Sequence, residues 1–176
     1  MTERIIIAGS GGQGIMLLGK ILSEVAMRED KFVTWLPAYG AEVRGGTSHC
    51  MVVISDKEIG SPYVAKADSL IIMNAPSLER FKNRIKEKGL LVINSSLVEK
   101  YKDSKLEVSQ HPFTGIAEGL GNIKIANMAA LGYFLAKRKI VNLKSVSEVI
   151  SDIAPEDKKA LIEVNKKALE KGSKLK

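Results

Sequence analysis

The stretch RIIIAGSGGQGIMLLGKIL, residues 4–22, constrains the chain more than any other. Its first five residues form a short β-branched run of the kind found in a central strand covered on both faces. Behind it, Ile15, Leu18, Leu22, Val25 and Ala26 recur at helical spacing. Between strand and helix, Gly9, Gly11 and Gly14 fall in the G-x-G-x-x-G spacing. A strand that feeds glycines straight into a helix is the start of an α/β fold. It also leaves unencumbered backbone N–H groups at the positive end of a helix dipole, where an anion is favoured.

A dinucleotide site needs one thing more, an acid about 20 residues on, at the end of the second strand, to hold the ribose hydroxyls. The second strand here ends in TWLPAYG. Glu29 and Asp30 precede that strand, and Glu42 lies too far into the next loop. Half of the fingerprint is missing. Two readings stay open: a phosphate cradle, or a glycine turn without a ligand.

Strand-like and helix-like segments alternate along the rest of the chain, which predicts one three-layer α/β/α domain over residues 1–176, with a Rossmann-like start and a mostly parallel or mixed sheet. Strands are expected at 31–36, stopped by Pro37, and at 48–55, 68–73, 90–94 and 105–110. Residues 58–67 read as loop with one short helical turn, and Pro76 opens a helix through Lys86. Ile125, Met128, Ala129, Gly132, Leu135 and Ala136 share a helical face on which Gly132 permits close backbone approach. Ser145 and Glu148 have capping-box spacing, and Pro155 suits the start of a last helix at 156–171.

A second glycine-bearing segment, LPAYGAEVRGGTSHC, presents Arg44 ahead of Gly45, Gly46, Thr47 and Ser48. A guanidinium beside free backbone amides can converge on a phosphate or carboxylate. The alternative is a turn in which Arg44 pairs with Glu42. Both loops leave the carboxyl ends of predicted strands and so can share the crevice where α/β sheets hold ligands. Elsewhere the chemistry is sparse. His49 and His111 are isolated, with no second ligand at metal spacing, and Cys50 alternates with Val52 and Ile54 as a core thiol does. Asn74, Asn94, Ser95 and Ser96 follow strands and serve equally as ligand contacts or helix caps. No nucleophile–base pair or paired carboxylates can be assembled from spacing, so no catalytic residue is assigned.

Composition narrows the partners. The formal net charge is +7, which permits an anionic partner. Lysines are interspersed with acids, and aromatics make up only 5% of the chain, so the basic, aromatic-laced stripe of a nucleic-acid binder is missing. No stretch approaches the about 18 apolar residues of a membrane span, and Met1-Thr2-Glu3 does not read as a signal peptide. One cysteine beside six methionines suits a reducing cytoplasm. A soluble cytoplasmic protein is expected.

Taken together, GSGGQGIMLLGKIL, AYGAEVRGGTSHCMVVIS, IGSPYVAKADSLIIMN, GLLVINSSL, NIKIANMAALGYF and VNKKALEKG resemble, in order, the gamma subunit of 2-oxoacid:ferredoxin oxidoreductases across residues 4–172. The wording around Arg44 is most similar to the 2-oxoglutarate enzymes, with pyruvate and branched-chain versions close by. The resemblance implies the reaction 2-oxoacid + CoA + oxidised ferredoxin → acyl-CoA + CO2 + reduced ferredoxin. It also implies alpha and beta subunits, with delta in some members, as partners that carry thiamine diphosphate and [4Fe–4S] clusters, none of which this chain would hold. One cysteine cannot ligate a cluster, and the thiamine motif is not present. Carried onto this chain, Gly9, Gly11, Gly12, Gln13 and Gly14 would receive coenzyme A through their amides. Arg44, Gly45, Gly46, Thr47 and Ser48 would bind a CoA phosphate or lock a subunit interface, and Asn127 and Met128 would line the same crevice. A purely structural subunit and an autonomous NAD(P)-binding reductase remain the alternatives.

Overall fold

The computed structural model describes residues 1–38 and 47–176. Its core is a six-stranded sheet of order β2-β3-β1-β4-β5-β6. The strands are β1 (Thr2–Ser10), β2 (Phe32–Ala38), β3 (Thr47–Ser55), β4 (Ala67–Ile72), β5 (Ile85–Asn94) and β6 (Glu107–His111). The last three run parallel to β1, whereas β3 is antiparallel to both β1 and β2. The mixed sheet expected from the sequence is thus present.

Alternation along β1 explains why its run is continuously apolar. Ile5 and Ile7 pack on one face with Leu18, Leu22 and Val25, whereas Ile6 and Ala8 pack on the other with Leu78 and Phe81. Both faces are dry, so every position is hydrophobic. The first face is covered by α1 (Ile15–Arg28), α3 (Phe113–Glu118), α4 (Ala126–Arg138), α5 (Leu143–Asp152) and α6 (Ile162–Ser173). The second carries the seven-residue α2 (Ala75–Phe81) and the connecting segments around Val64 and Val98. The three layers are present but unequal.

Glycines allow the tightest packing. A Cβ on Gly132 of α4 would overlap the carbonyl of Leu169, and one on Gly172 of α6 would overlap that of Ala129. The two helices therefore meet backbone to backbone. At the opposite end of the sheet, Arg138 ties α4 down. It reaches Glu3 at 3.6 Å and Glu107 at 3.3 Å, while Ser69 Oγ donates to Glu3 Oε1 at 2.5 Å. Burial holds the Glu3 carboxyl above its usual range despite that company.

Several sequence expectations need correction. Pro37 does not stop β2, which continues through it opposite Cys50. The strand lies at the sheet edge, where a missing N–H costs no ladder bond. Residues 58–66 contain no helical turn. The helix from Pro76 ends at Phe81, a 3-10 turn covers Lys82–Arg84, and β5 begins at Ile85. Ser145 and Glu148 do not cap: the N-cap lies three residues earlier, where the Asn142 side chain accepts from Lys144 N at 2.9 Å. The last helix is preceded by a 3-10 segment over Glu156–Leu161, and α3 has no counterpart in the sequence reading.

Candidate functional site

The glycine loop leaves β1 at Ser10 and enters α1 through Gly14. Gln13 folds it back: its Oε1 accepts from Ser10 N at 2.7 Å and its Nε2 donates to Met73 O, at the end of β4, at 3.2 Å. Two of the four glycines serve this packing. A Cβ on Gly9 would lie 2.5 Å from Gln13 Oε1 and 2.8 Å from Ile15 Cδ1. Gly14 has φ +70 and turns α1 on without any side-chain cap, and a Cβ there would strike the Asn127 amide. The other two differ. Among the described residues, neither Gly11 nor Gly12 has an atom within 4 Å of its Cβ position, and Gly12 holds φ +88. The loop therefore has a packed inner side and an outer side that no described residue covers, at the start of a 14-residue helix.

Asn127 connects the loop to α4. It is 2% exposed, and its Nδ2 donates to Gly14 O at 3.1 Å while its Oδ1 accepts from Met128 N at 2.9 Å. Beyond it opens a groove of about 320 Å³ between the starts of α1, α4 and α6 and the end of α5. Gly12, Gly14, Leu17, Met128, Ile153 and Leu161 form part of its wall, and Lys124 and Lys158 supply the cations. The arrangement offers an anion the helix start and two ammonium groups, and offers an apolar chain the floor between them.

Thr47 and Ser48 stand beside the loop, paired in register with Ser10 and Gly9. Thr47 Oγ1 accepts a hydrogen bond from Arg80, a residue the sequence reading did not single out. Its only signal was a cation on a short helix after β4. Arg44, Gly45 and Gly46 lie outside the described residues. Because β3 intervenes between β1 and β2, the position beside β1 that would offer a ribose acid in a dinucleotide fold is occupied by Thr47 and Ser48 instead.

His49 sits under this edge, 8% exposed, its ring centroid 4.8 Å from that of Phe81. Burial, then the charges of Arg80 and Arg84, hold its pKa below the usual histidine value. Burial pushes the Cys50 thiol up to about 12, which makes it a core group. Asn74 and Asn94 resolve as structural residues: Asn74 caps α2 by accepting from Ser77 N at 3.1 Å, and Asn94 Nδ2 donates to Thr114 Oγ1 at 2.9 Å. No helix among the described residues is long and apolar enough to cross a membrane.

A mixed α/β sheet with a glycine loop at its central strand, and an antiparallel β3 where a dinucleotide fold has a parallel second strand, defines the class of fold. Residues 4–175 match the Pyruvate ferredoxin/flavodoxin oxidoreductase family, and the chain belongs to it. It is 36% identical to the 2-oxoglutarate synthase subunit KorC of Methanocaldococcus jannaschii, over 98% of this chain and 92% of that one. It is 40% identical to the ketoisovalerate oxidoreductase subunit VorA of Methanothermobacter marburgensis over 76% of this chain, but that stretch spans only 28% of the longer relative. Among solved structures, the keto/oxoacid ferredoxin oxidoreductase gamma subunit from Geobacter sulfurreducens superposes with a TM-score of 0.83 at 28% identity, covering 97% and 95% of the two chains. The 2-oxoglutarate:ferredoxin oxidoreductase from Magnetococcus marinus, with 2-oxoglutarate, coenzyme A and succinyl-CoA bound, shares the fold with a TM-score of 0.87 at 23% identity, over 98% of this chain and 30% of that one.

Proposed function

We propose that this chain is the gamma subunit of a cytoplasmic 2-oxoglutarate:ferredoxin oxidoreductase. It holds coenzyme A for the enzyme that converts 2-oxoglutarate, CoA and oxidised ferredoxin into succinyl-CoA, CO2 and reduced ferredoxin. The observation that carries this reading is the outer side of Gly11 and Gly12, which no described residue covers, at a helix start without a side-chain cap beside an apolar groove with Lys124 and Lys158. The amides of Gly11, Gly12 and Gln13 would receive the CoA pyrophosphate, and Thr47, Ser48 and the Arg44–Gly46 segment would complete the anion site. Gly9 and Gly14 shape the loop, Asn127 holds it against α4, and Met128 lines the groove floor. The name of the KorC relative and the CoA-bound neighbour of the same fold support the substrate and the ligand.

Thiamine diphosphate and the [4Fe–4S] clusters belong to partner alpha, beta or delta chains. The residues of this chain do not fit a cluster, since its one cysteine is a buried core thiol. A branched-chain 2-oxoacid is favoured by the VorA relative, and a purely structural subunit by the internal filling of Gly9 and Gly14.

Gly11→Val in the assembled enzyme tests the ligand role, because its Cβ meets none of the described residues. The Michaelis constant for CoA is expected to rise, and the thermal shift to shrink from the about 2.7 kcal/mol that ligand at about 100 times its dissociation constant supplies. An unchanged constant in Gly11→Val and in Arg44→Ala would leave only the structural subunit. Turnover compared across 2-oxoglutarate, pyruvate and 2-oxoisovalerate identifies the substrate.

A further inference from the structure

Five arginines lie among the described residues, and they divide into two groups. Arg4 meets Asp68 at 3.5 Å, Arg28 meets Glu24 at 3.0 Å, and Arg138 meets Glu107 at 3.3 Å. Arg80 and Arg84 have no carboxylate within ion-pair distance among the described residues. The acid next to them in sequence, Glu79, is taken by Lys82.

These two are also the arginines laid on aromatic rings. The Arg80 and Arg84 guanidinium carbons sit 5.4 and 5.7 Å from the Phe81 centroid, and Arg84 lies 5.2 Å from that of Tyr63. Their hydrogen bonds go to neutral oxygens: Arg80 to Thr47 Oγ1, and Arg84 to the carbonyls of Val64 and Ala65. Neither guanidinium is offset by a carboxylate among the described residues. The supporting Phe81 is buried, whereas Tyr63 is 58% exposed, Arg80 is exposed and Lys66 stands next to them on the surface.

The result is a cationic face with an aromatic beside it. Guanidinium groups already held over rings and bonded to oxygens lose less freedom than free ones when a planar carboxylate meets them. Arg and Tyr in this arrangement are the residue types that carry binding energy at protein interfaces. Buried His49 lies beneath, near Arg80 and Arg84, and its neutral form adds no charge to the face at neutral pH.

We propose that Arg80 and Arg84, stacked on Phe81 and Tyr63, form the face onto which an acidic segment of a partner subunit docks. The proposal rests on the subunit reading above. It places an inter-subunit contact on the α2 side of the sheet, opposite the face covered by α1 and α4. The attraction is between guanidinium and carboxylate, so the association weakens with salt.

The test uses the full chain co-expressed with its partner subunits. Carbodiimide cross-linking joins Lys66 to any carboxylate in direct contact, and mass spectrometry reads the joined peptides. The expected result is a link from Lys66 to an Asp- or Glu-rich segment of another subunit. The double variant Arg80→Glu, Arg84→Glu should weaken association at least about tenfold while the chain still folds, its melting temperature lowered only by the loss of the bonds to Thr47, Val64 and Ala65. Should that variant fail to fold, Arg80→Gln with Arg84→Gln is read by the same criteria. An unchanged subunit yield in the variant, links only within this chain, or binding of free phosphate or nucleic acid by the same arginines with assembly intact would each overturn the proposal. If the unaltered chain brings down no partner subunits, it is the subunit reading that fails instead.

Discussion

Asn127 Nδ2 donates to the carbonyl of Gly14 at 3.1 Å, a bond across 113 residues that joins the second residue of α4 to the left-handed residue opening α1. It makes the glycine loop part of the core. Replacing either partner attacks the same joint. Asn127→Ala removes one of the two donors to the Gly14 carbonyl, which keeps the Leu18 N–H, and is expected to cost about 0.5–1.5 kcal/mol. Gly14→Ala adds the left-handed backbone penalty to a collision with Asn127, for a total of about 2–4 kcal/mol. Chemical denaturation measures both, and a double variant that costs no more than the worse single one would demonstrate that they share one interaction.

The α4–α6 contact is expected to tolerate no side chain at either crossing. Gly132→Ala and Gly172→Ala each push a methyl into a backbone carbonyl, so the helices must separate. A loss of about 3 kcal/mol or more is expected for each, at the upper end of overpacking costs because backbone cannot move aside as a side chain does. Retention of full stability in urea would contradict the backbone contact.

His49 should make stability depend on pH near neutrality. Its folded pKa lies below the ordinary 6.5 because of burial and then Arg80 and Arg84, so the native state takes up a proton later than the unfolded chain. That contribution is fully present above 6.5 and is lost as pH falls through the folded value. Melting temperature measured between about pH 7.5 and 5 should fall toward acid, and His49→Phe should flatten the fall. His111, lowered by burial and by Lys137, acts in the same direction and is separated by imidazole NMR signals.

Cys50 should be chemically silent. With a thiol at about 12 and no exposed surface, it holds almost no thiolate at neutral pH. A disulfide reagent should label it only at the rate of unfolding, with denaturant accelerating the reaction. Rapid labelling of the native chain would show the β3–α1 packing to be open.

The central strand, the glycine turn and the helix behind it were legible in residues 4–22, because hydrophobic periodicity and glycine spacing report local geometry directly. The absent ribose acid was legible too, although its physical cause was not. That cause is β3, whose Thr47 and Ser48 stand beside β1 where a parallel second strand would lie in a dinucleotide fold. Local pattern misled at Pro37, because only the sheet order makes β2 an edge strand. It misled again at Ser145, where Asn142 captured the cap three residues earlier.

The sequence by itself determined which segments become strands and helices around the core, since burial on both faces or on one stripe must be written into residue type. Only tertiary structure decided which glycines are filled and which are open. Gly9 and Gly14 meet Gln13 and Asn127, Gly11 and Gly12 meet none of the described residues, and all four look alike in the chain. It decided, for the same reason, that Arg80 and Arg84 hold no carboxylate among the described residues while Arg4, Arg28 and Arg138 do. A partner's distance is set by the packing of elements far apart in sequence, and spacing along one chain carries no record of it.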